Sequence, residues 1–233
     1  MPAVVPAWLG YHRWNRRDER MAELWVRDIV AHLRGLPWLG PNSAVLDFGC
    51  GYFDAGARLA DRAGRVDGMD TDPHAVAVAR TRAAGLPSVI YGSAAHLPAA
   101  SYDLIFANSV VQYLGGDAGV AETLALFRRL LKPDGRGVVV LADLIPTRYS
   151  KPLDACRSLW VATRNGVLPA MLVHLWKAAR SPDGVVLHRI DERRMVELAA
   201  AAGFGCERLA RNLTPSRRRY TCALTARPGE RPA

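Results

Sequence analysis

A glycine-rich turn between an apolar stretch and a helix-forming stretch is the first feature able to do chemistry. Residues 43–48 are mostly apolar and lead into Gly49 and Gly51, and glycine lets a ligand approach bare backbone. The helix predicted to follow presents free N–H groups and the positive end of its dipole. Asp47, just before the turn, would repel a phosphate but would suit a cationic group. The turn therefore favours a ligand with a positive charge over a pyrophosphate.

A second carboxylate, Asp70, stands at the end of the next apolar stretch. It follows Gly51 by 19 residues, and a carboxylate in this place can accept hydrogen bonds from both hydroxyls of a ribose. The third small residue of a dinucleotide fingerprint is replaced by Asp54. The alternative role for Asp70 is a helix cap, but Asp72 is better placed to cap a helix that begins at Pro73. The two acids can therefore have separate roles.

Strand and helix patterns alternate along about 100 residues around these carboxylates, which predicts a parallel sheet with helices on both sides. Right-handed connections put the carboxyl ends of parallel strands on one edge, where ligands bind. The predicted strands of this core are 43–48, 65–69, 88–91, 102–111 and 136–142, and two later ones are 206–212 and 219–226.

The chain is interpreted as one domain, 1–233, with four parts. The long segment after the fifth strand has no strand pattern and reads as two short helices, so we expect a lid over the ligand edge. The parts are an aromatic segment and helix at 1–36, a cofactor-binding core at 43–142, the helical lid insertion at 145–190, and a helix with a hairpin at 191–226.

Composition excludes several classes of protein. Half of the residues are hydrophobic and 23% are charged, which suits one globular domain and not a disordered chain. No apolar stretch approaches the ~18 residues of a membrane span, and the first residues lack the pattern of a signal peptide. Four widely spaced cysteines argue against a zinc or disulfide framework. We therefore expect a cytoplasmic protein with no metal site.

The net charge of +9 is spread along the chain and has no interleaved aromatic residues. A solvated basic surface explains it better than a nucleic-acid site does. No motif typical of enzymes that modify nucleic-acid bases follows the fourth strand. Nucleic acid is therefore not expected as a partner, whereas an anionic small molecule is compatible with the charge.

Six short motifs follow one another in an informative order: VLDFGCG from Val45, GMD from Gly68, YGSAAHLP from Tyr91, SYDLIFAN from Ser101, LLKPDGR from Leu130 and AAGF from Ala201. In this order and spacing the sequence resembles the class I S-adenosylmethionine-dependent methyltransferases that act on small molecules. The resemblance implies an α/β fold: a Rossmann-like, doubly wound, seven-stranded sheet, mostly parallel with an antiparallel C-terminal strand, here with the helical insertion.

The resemblance also implies that S-adenosylmethionine is the cofactor and that eight residues bind it. The implied contacts are Asp47 and Gly49 with the methionyl ammonium, Gly51 through close backbone approach, Asp70 with the ribose, Thr71, Ser93 and Ala94 with adenine, and Asn108 with the sulfonium region.

This sequence departs from the family pattern at two cofactor positions. Phe53 stands where the family has a third glycine, and Ser93 stands where an aspartate is common. These departures motivate one alternative, a catalytically degenerate binding protein. A second alternative is a lipid or quinone methyltransferase at the membrane surface, because the predicted helix 169–180 carries apolar and basic residues.

The acceptor side of the site is predicted from segments outside the core. Methyl transfer is a direct displacement, so the main requirement is alignment of the nucleophile. His188, and after it Asp143, are the predicted proton acceptors. For Trp160 and Trp176 we favour burial in a helix-packing core over a place in the acceptor pocket, because both lie on apolar helix faces. The predicted acceptor-binding residues are Tyr11, Trp14, Gln112, Tyr113, His174 and Trp176.

Overall fold

The computed structural model describes residues 19–179 and 187–227, and seven strands lie in those ranges. They are β1 Ala44–Phe48, β2 Arg65–Met69, β3 Ile90–Tyr91, β4 Leu104–Asn108, β5 Val138–Leu144, β6 Phe204–Arg208 and β7 Tyr220–Ala226. The sheet order is β3-β2-β1-β4-β5-β7-β6. Strands β1 to β5 pair in parallel, and β7 is antiparallel to both β5 and β6. The predicted Rossmann-like sheet with an antiparallel C-terminal strand is confirmed.

Seven α-helices accompany the sheet in the described ranges. They are α1 Glu19–Arg34, α2 Asp54–Leu59, α3 Pro73–Ala83, α4 Asp117–Leu130, α5 Lys151–Arg164, α6 Leu168–Ala179 and α7 Glu192–Ala201, with short 3₁₀ turns at Ala94–His96 and Val111–Tyr113. None of these helices has both the length and the apolar character needed to cross a bilayer.

The helices cover both faces of the sheet, and β5 shows why. Its side chains alternate, so Val139 and Leu141 enter the core on one face while Val138 and Val140 enter the core on the other. Both faces are apolar because both are covered. Helices α4 and α7 pack on the first face, and α1, α2 and α3 pack on the second.

Several strand boundaries differ from the sequence prediction. Strand β4 ends at Asn108 and not at residue 111, because Ser109 has a φ of 58° and turns the chain. Strand β5 continues to Leu144, so Asp143 lies inside an irregular strand end and has a φ of 65°. Strand β6 covers Phe204–Arg208 and not 206–212.

The segment after β5 forms two helices, as the sequence predicts. Helix α5 ends next to Gly166, which has a φ of 68°, and α6 has Pro169 in its first turn. Both helices join an apolar cluster with α1 that includes Leu24, Val161 and Met171. That cluster anchors the insertion to the N-terminal half of α1. The role of the insertion as a lid over bound acceptor stays a prediction.

The two tryptophans of this insertion are exposed. Trp160 is 48% exposed and Trp176 is 57% exposed, so the favoured prediction of a buried core position is wrong for both. The guanidinium of Arg164 lies 5.1 Å from the centre of the Trp160 ring.

Phe53 fills the place of the missing third glycine without blocking the turn. It has a φ of 62° and is fully buried at the start of α2. The ring is accommodated by Gly56, where a Cβ atom would lie only 2.1 Å from Phe53 Cε2. The glycine needed for close packing has therefore moved from the turn into the helix.

We predict that Phe53→Gly destabilises the protein although it relieves the left-handed backbone. Losing a buried phenylalanine costs about 3–5 kcal/mol, whereas relief of the backbone returns about 1–2 kcal/mol. The net loss of about 1–4 kcal/mol should appear as a lower denaturant midpoint. As a control, Ala100→Gly changes an exposed residue with a φ of 51° and should shift stability by less than about 1 kcal/mol. Equal midpoints for wild type and Phe53→Gly would contradict the prediction.

Candidate active site

The glycine turn after β1 is held against β2 and the loop after β4. The N–H groups of Gly49 and Cys50 both donate to the Met69 carbonyl, at 2.7 and 2.9 Å. Gly49 and Gly51 have φ values of 74° and 52°, a region in which glycine is favoured. A Cβ on Gly49 would lie 2.4 Å from Val110 Cγ2. The turn is therefore tight, as the motif predicts.

Asp47 is a buried carboxylate at the carboxyl end of β1. It is 4% exposed, and the N–H of Gly56 donates a hydrogen bond to it. No ion-pair partner for it lies in the part of the chain that the structure describes. Burial raises the pKa of Asp47 to about 8, and the nearby charges of Asp70 and Asp54 act in the same direction. A bound cation would reverse this effect.

Asp70 lies at the end of β2 and is 7% exposed. Its Oδ2 accepts from the Gly51 N–H at 2.8 Å, and its Oδ1 accepts from the Asp72 N–H at 2.9 Å. These two contacts fix the carboxylate beside the glycine turn. Asp72 caps α3 by accepting from the His74 N–H at 2.9 Å. The two acids thus occupy the separate places that the sequence predicts.

Three predicted adenine contacts lie at the rim of this edge. Thr71 is exposed, and Ser93 and Ala94 are partly buried. Ser93 Oγ accepts from the Ala95 N–H at 3.2 Å and caps the 3₁₀ turn. Ser93 therefore has a structural function already, and its contact with adenine stays a prediction.

Asn108 ends β4 and carries a buried atom with unused hydrogen-bonding capacity. Its Oδ1 finds no partner in residues 19–179 and 187–227. Its Nδ2 donates to Ser109 Oγ at 3.4 Å. A buried, unsatisfied acceptor costs about 1–3 kcal/mol, so a ligand or a water that donates to it would be stabilised here.

These three side chains fit S-adenosylmethionine. Asp47, Asp70 and Asn108 end β1, β2 and β4, which are neighbours in the sheet, so they share one edge. A buried carboxylate suits an ammonium, an anchored carboxylate suits a ribose, and an amide oxygen suits the polarised atoms around a sulfonium.

Asp143 lies in a network of hydrogen bonds instead of facing an open site. Oδ2 accepts from Ser109 Oγ at 2.6 Å and from Arg219 at 2.5 Å. Oδ1 accepts from Thr214 Oγ1 at 2.6 Å and from Asn212 Nδ2 at 3.3 Å. A carboxylate has about four lone-pair sites, and all of them are used. This arrangement favours a positioning role over proton acceptance.

His188, the other predicted proton acceptor, lies beside the loop after β4. Its backbone N–H donates to the Gln112 carbonyl at 2.9 Å, and its Nε2 lies 3.1 Å from Asp117 Oδ1. The same Asp117 carboxylate pairs with Arg194 at 2.7 Å, and Arg194, together with His188, lowers the pKa of Asp117. His188 thereby fastens the end of the insertion to the core.

The predicted acceptor residues are only partly brought together. Gln112 is 5% exposed, and its buried Oε1 has no partner within the described ranges. Tyr113 is half-buried beside it, and Trp176 is exposed on α6. Tyr11, Trp14 and the side chain of His174 lie outside the described part of the structure.

Two residues at this edge were not singled out by the sequence, namely Ser109 and Arg219. Both contact Asp143 from distant parts of the chain. Arg219 belongs to the run Arg217–Arg219, and only the strand that starts at Tyr220 decides which of these arginines faces inward.

Comparison with known sequences finds a methyltransferase domain over residues 45–135. A trans-aconitate 2-methyltransferase from Azoarcus sp. (strain BH72) is 34% identical over 153 residues, 64% of this chain and 54% of that protein. One from Rhizobium rhizogenes (strain K84) is 34% identical over 149 residues, 63% of this chain and 53% of that protein. The chain spans about half the length of the curated relatives it matches.

Solved structures share the fold. Magnesium protoporphyrin IX methyltransferase from Synechocystis PCC 6803, solved with bound SAH, gives a TM-score of 0.61 at 17% identity, covering 97% of this chain and 100% of that one. A SAM-dependent methyltransferase from Methanosarcina mazei gives 0.58 at 18% identity, covering 82% and 95%. Residues 45–135 thus match a methyltransferase domain, and the chain has the fold of solved S-adenosylmethionine-dependent methyltransferases and is similar to that class.

Proposed function

We propose that the protein transfers a methyl group from S-adenosylmethionine to a carboxylate of a small anionic acceptor in the cytoplasm. The observation that carries the cofactor assignment is the placement of Asp47, Asp70 and Asn108 at the ends of three neighbouring strands. The names of the trans-aconitate 2-methyltransferase relatives support the acceptor class. The basic net charge of +9 is compatible with an anionic acceptor.

The reaction needs little from the protein beyond alignment of the acceptor with the methyl group of the donor. S-adenosylmethionine supplies a methyl group on a sulfonium, and a carboxylate oxygen that attacks its carbon forms an ester as the carbon–sulfur bond breaks. In our assignment Asp47 pairs with the ammonium, Asp70 holds the ribose and Asn108 contacts the methionyl region. Fixing both reactants in line accounts for most of the acceleration in such displacements, up to ~7–11 kcal/mol.

A carboxylate acceptor needs no general base, because it is already ionised near neutral pH. This agrees with Asp143, whose lone pairs are all engaged. His188, which lies beside Asp117, is then not required to remove a proton. An acceptor hydroxyl is the second candidate, and it would give His188 the role of base that the sequence suggested.

The packing around Phe53 argues against the alternative of a catalytically degenerate binding protein. Its ring occupies space left by Gly56 and not the turn between Gly49 and Gly51. The exposed Leu172 and Trp176 on α6 support the alternative of a lipid or quinone methyltransferase at the membrane surface. A small acceptor is favoured by the relatives.

We expect Asp70→Ala to weaken binding of S-adenosylmethionine by about 10- to 100-fold, since a hydrogen bond to a charged group contributes about 1.5–3 kcal/mol. Isothermal titration calorimetry measures this directly. Asp72→Ala is the matched control: it removes the α3 cap, so it should lower stability by about 1 kcal/mol and leave the Kd unchanged. A folded Asp70→Ala protein with the wild-type Kd would exclude the ribose contact.

We expect the affinity for S-adenosylmethionine to rise with pH below about 8. The empty site holds Asp47 protonated up to its raised pKa of about 8, whereas the bound ammonium requires the carboxylate. Each pH unit below that value should cost up to about tenfold in affinity. Calorimetry at pH 6, 7 and 8 measures how the affinity changes with pH. The Asp47→Asn variant should bind S-adenosylmethionine more weakly, and its affinity should lack the pH dependence that Asp47 causes. A wild-type Kd independent of pH would refute the pairing.

We expect His188→Gln to change kcat on a carboxylate acceptor by less than about threefold, because loss of a true general base costs about 10²–10⁴-fold. Methyl ester formation, followed by mass spectrometry, gives the rate. A hundredfold loss, together with the disappearance of one limb of the pH–rate profile, would assign His188 as the base and replace the carboxylate with a hydroxyl acceptor.

A further inference from the structure

An ion pair at the ligand edge extends the proposed function and rests on it. Arg219 immediately precedes β7, and Tyr220 pairs with Leu144 at the end of β5. The Arg219 side chain is 21% exposed, and its partner Asp143 is 6% exposed. The pair therefore has its anion inside the protein and its cation at the rim of the edge where the methyl donor is assigned.

Asp143 fixes one side of the Arg219 guanidinium. Its Oδ2 accepts from Arg219 at 2.5 Å and from Ser109 Oγ at 2.6 Å. Because Thr214 and Asn212 hold Oδ1, the carboxylate cannot rotate toward another partner without losing hydrogen bonds. Arg219 is thus bound to a rigid anchor.

Tyr149 fixes the other side of the guanidinium. The Arg219 Cζ lies 5.3 Å from the centre of the Tyr149 ring, and a terminal nitrogen lies 3.4 Å from the Tyr149 hydroxyl. A guanidinium has five N–H donors in a planar fork that matches a carboxylate. Held by two neighbours, the Arg219 fork is oriented before a ligand arrives, which lowers the entropy cost of binding.

A chain of polar contacts joins this cation to the transfer site. Ser109 Oγ donates to Asp143 and accepts from Asn108 Nδ2 at 3.4 Å, and Asn108 is assigned to the methionyl region. Gln112, 5% exposed with an unpartnered buried Oε1 within the described ranges, follows on the same loop. Arg219 and the residues assigned to the methyl donor therefore belong to one connected set of polar groups at this edge.

We propose that Arg219 binds a second carboxylate of the acceptor, one that is not methylated. The acceptor is then a di- or tricarboxylate, and a monocarboxylate lacks the group that Arg219 binds. Asp143 is a positioning residue that acts through Arg219.

The experiment compares trans-aconitate, a tricarboxylate, with crotonate, a monocarboxylate, as acceptors for the full chain. In Arg219→Lys the KM for trans-aconitate should rise about 10- to 100-fold, the loss expected for hydrogen bonds to a charged group. The kcat and the Kd for S-adenosylmethionine should stay near wild type, and the KM for crotonate should not change. The Arg219→Lys variant should therefore lose the preference for trans-aconitate over crotonate.

Two further variants separate recognition from stability. Arg208→Lys is the matched control, because Arg208 also pairs with a carboxylate, Glu192 at 3.0 Å, and also lies over a ring, Tyr220 at 5.4 Å. It should leave all constants unchanged. The double variant Asp143→Asn with Arg219→Gln removes both charges together, so that no unpaired ion stays buried, and it should show the same loss of preference in a folded protein.

Each outcome decides between the two proposals. If wild type methylates carboxylates and Arg219→Lys raises the KM for both acceptors equally, or for neither, Arg219 is structural and this inference is overturned. If wild type binds S-adenosylmethionine but methylates neither acid, the proposed acceptor class fails and this inference fails with it.

Discussion

The burial of Asp47 is the constraint on which the rest of the site depends. A carboxylate this deep, which accepts from the Gly56 N–H, costs several kcal/mol to keep ionised, and burial favours its protonated form. In our assignment a bound cation offsets that cost. Asp47 lies at the end of β1, in the middle of the sheet, where β2 and β4 flank it. Their ends supply Asp70 and Asn108, so one buried acid determines where the other two groups must lie.

Several residues with a left-handed backbone conformation lie at the same edge of the sheet. Phe53, Ser109 and Asp143 all have positive φ, and such residues cost of order 1–3 kcal/mol each. A buried ring holds Phe53 in place, and one hydrogen bond joins Ser109 to Asp143. The physical effect is that β4 and β5 stop pairing abruptly. Their last side chains then face the edge instead of continuing the sheet.

The sequence was sufficient wherever the information is local. The turn at Gly49 and Gly51 and the separate places of Asp70 and Asp72 follow from motifs within a few residues of each other. It was insufficient where apolar patterns continue past a turn: Val110 and Val111 extend the strand pattern of β4, although Ser109 ends it. The hydrogen-bond partners of Asp143 could not be predicted either, since they lie 34 to 76 residues away in the chain.

The division between cofactor and acceptor chemistry follows the chain. The matched methyltransferase domain, residues 45–135, contains Asp47, Asp70 and Asn108 but excludes Asp143, His188 and Arg219. Similarity over this domain therefore supports S-adenosylmethionine as the methyl donor and gives no information about the acceptor. In the C-terminal half, an anchored guanidinium lies at the edge to which we assign the donor. A buried anion that holds a cation at a rim is a costly arrangement if it serves only to join two strands, and recognition of an anion gives it a function.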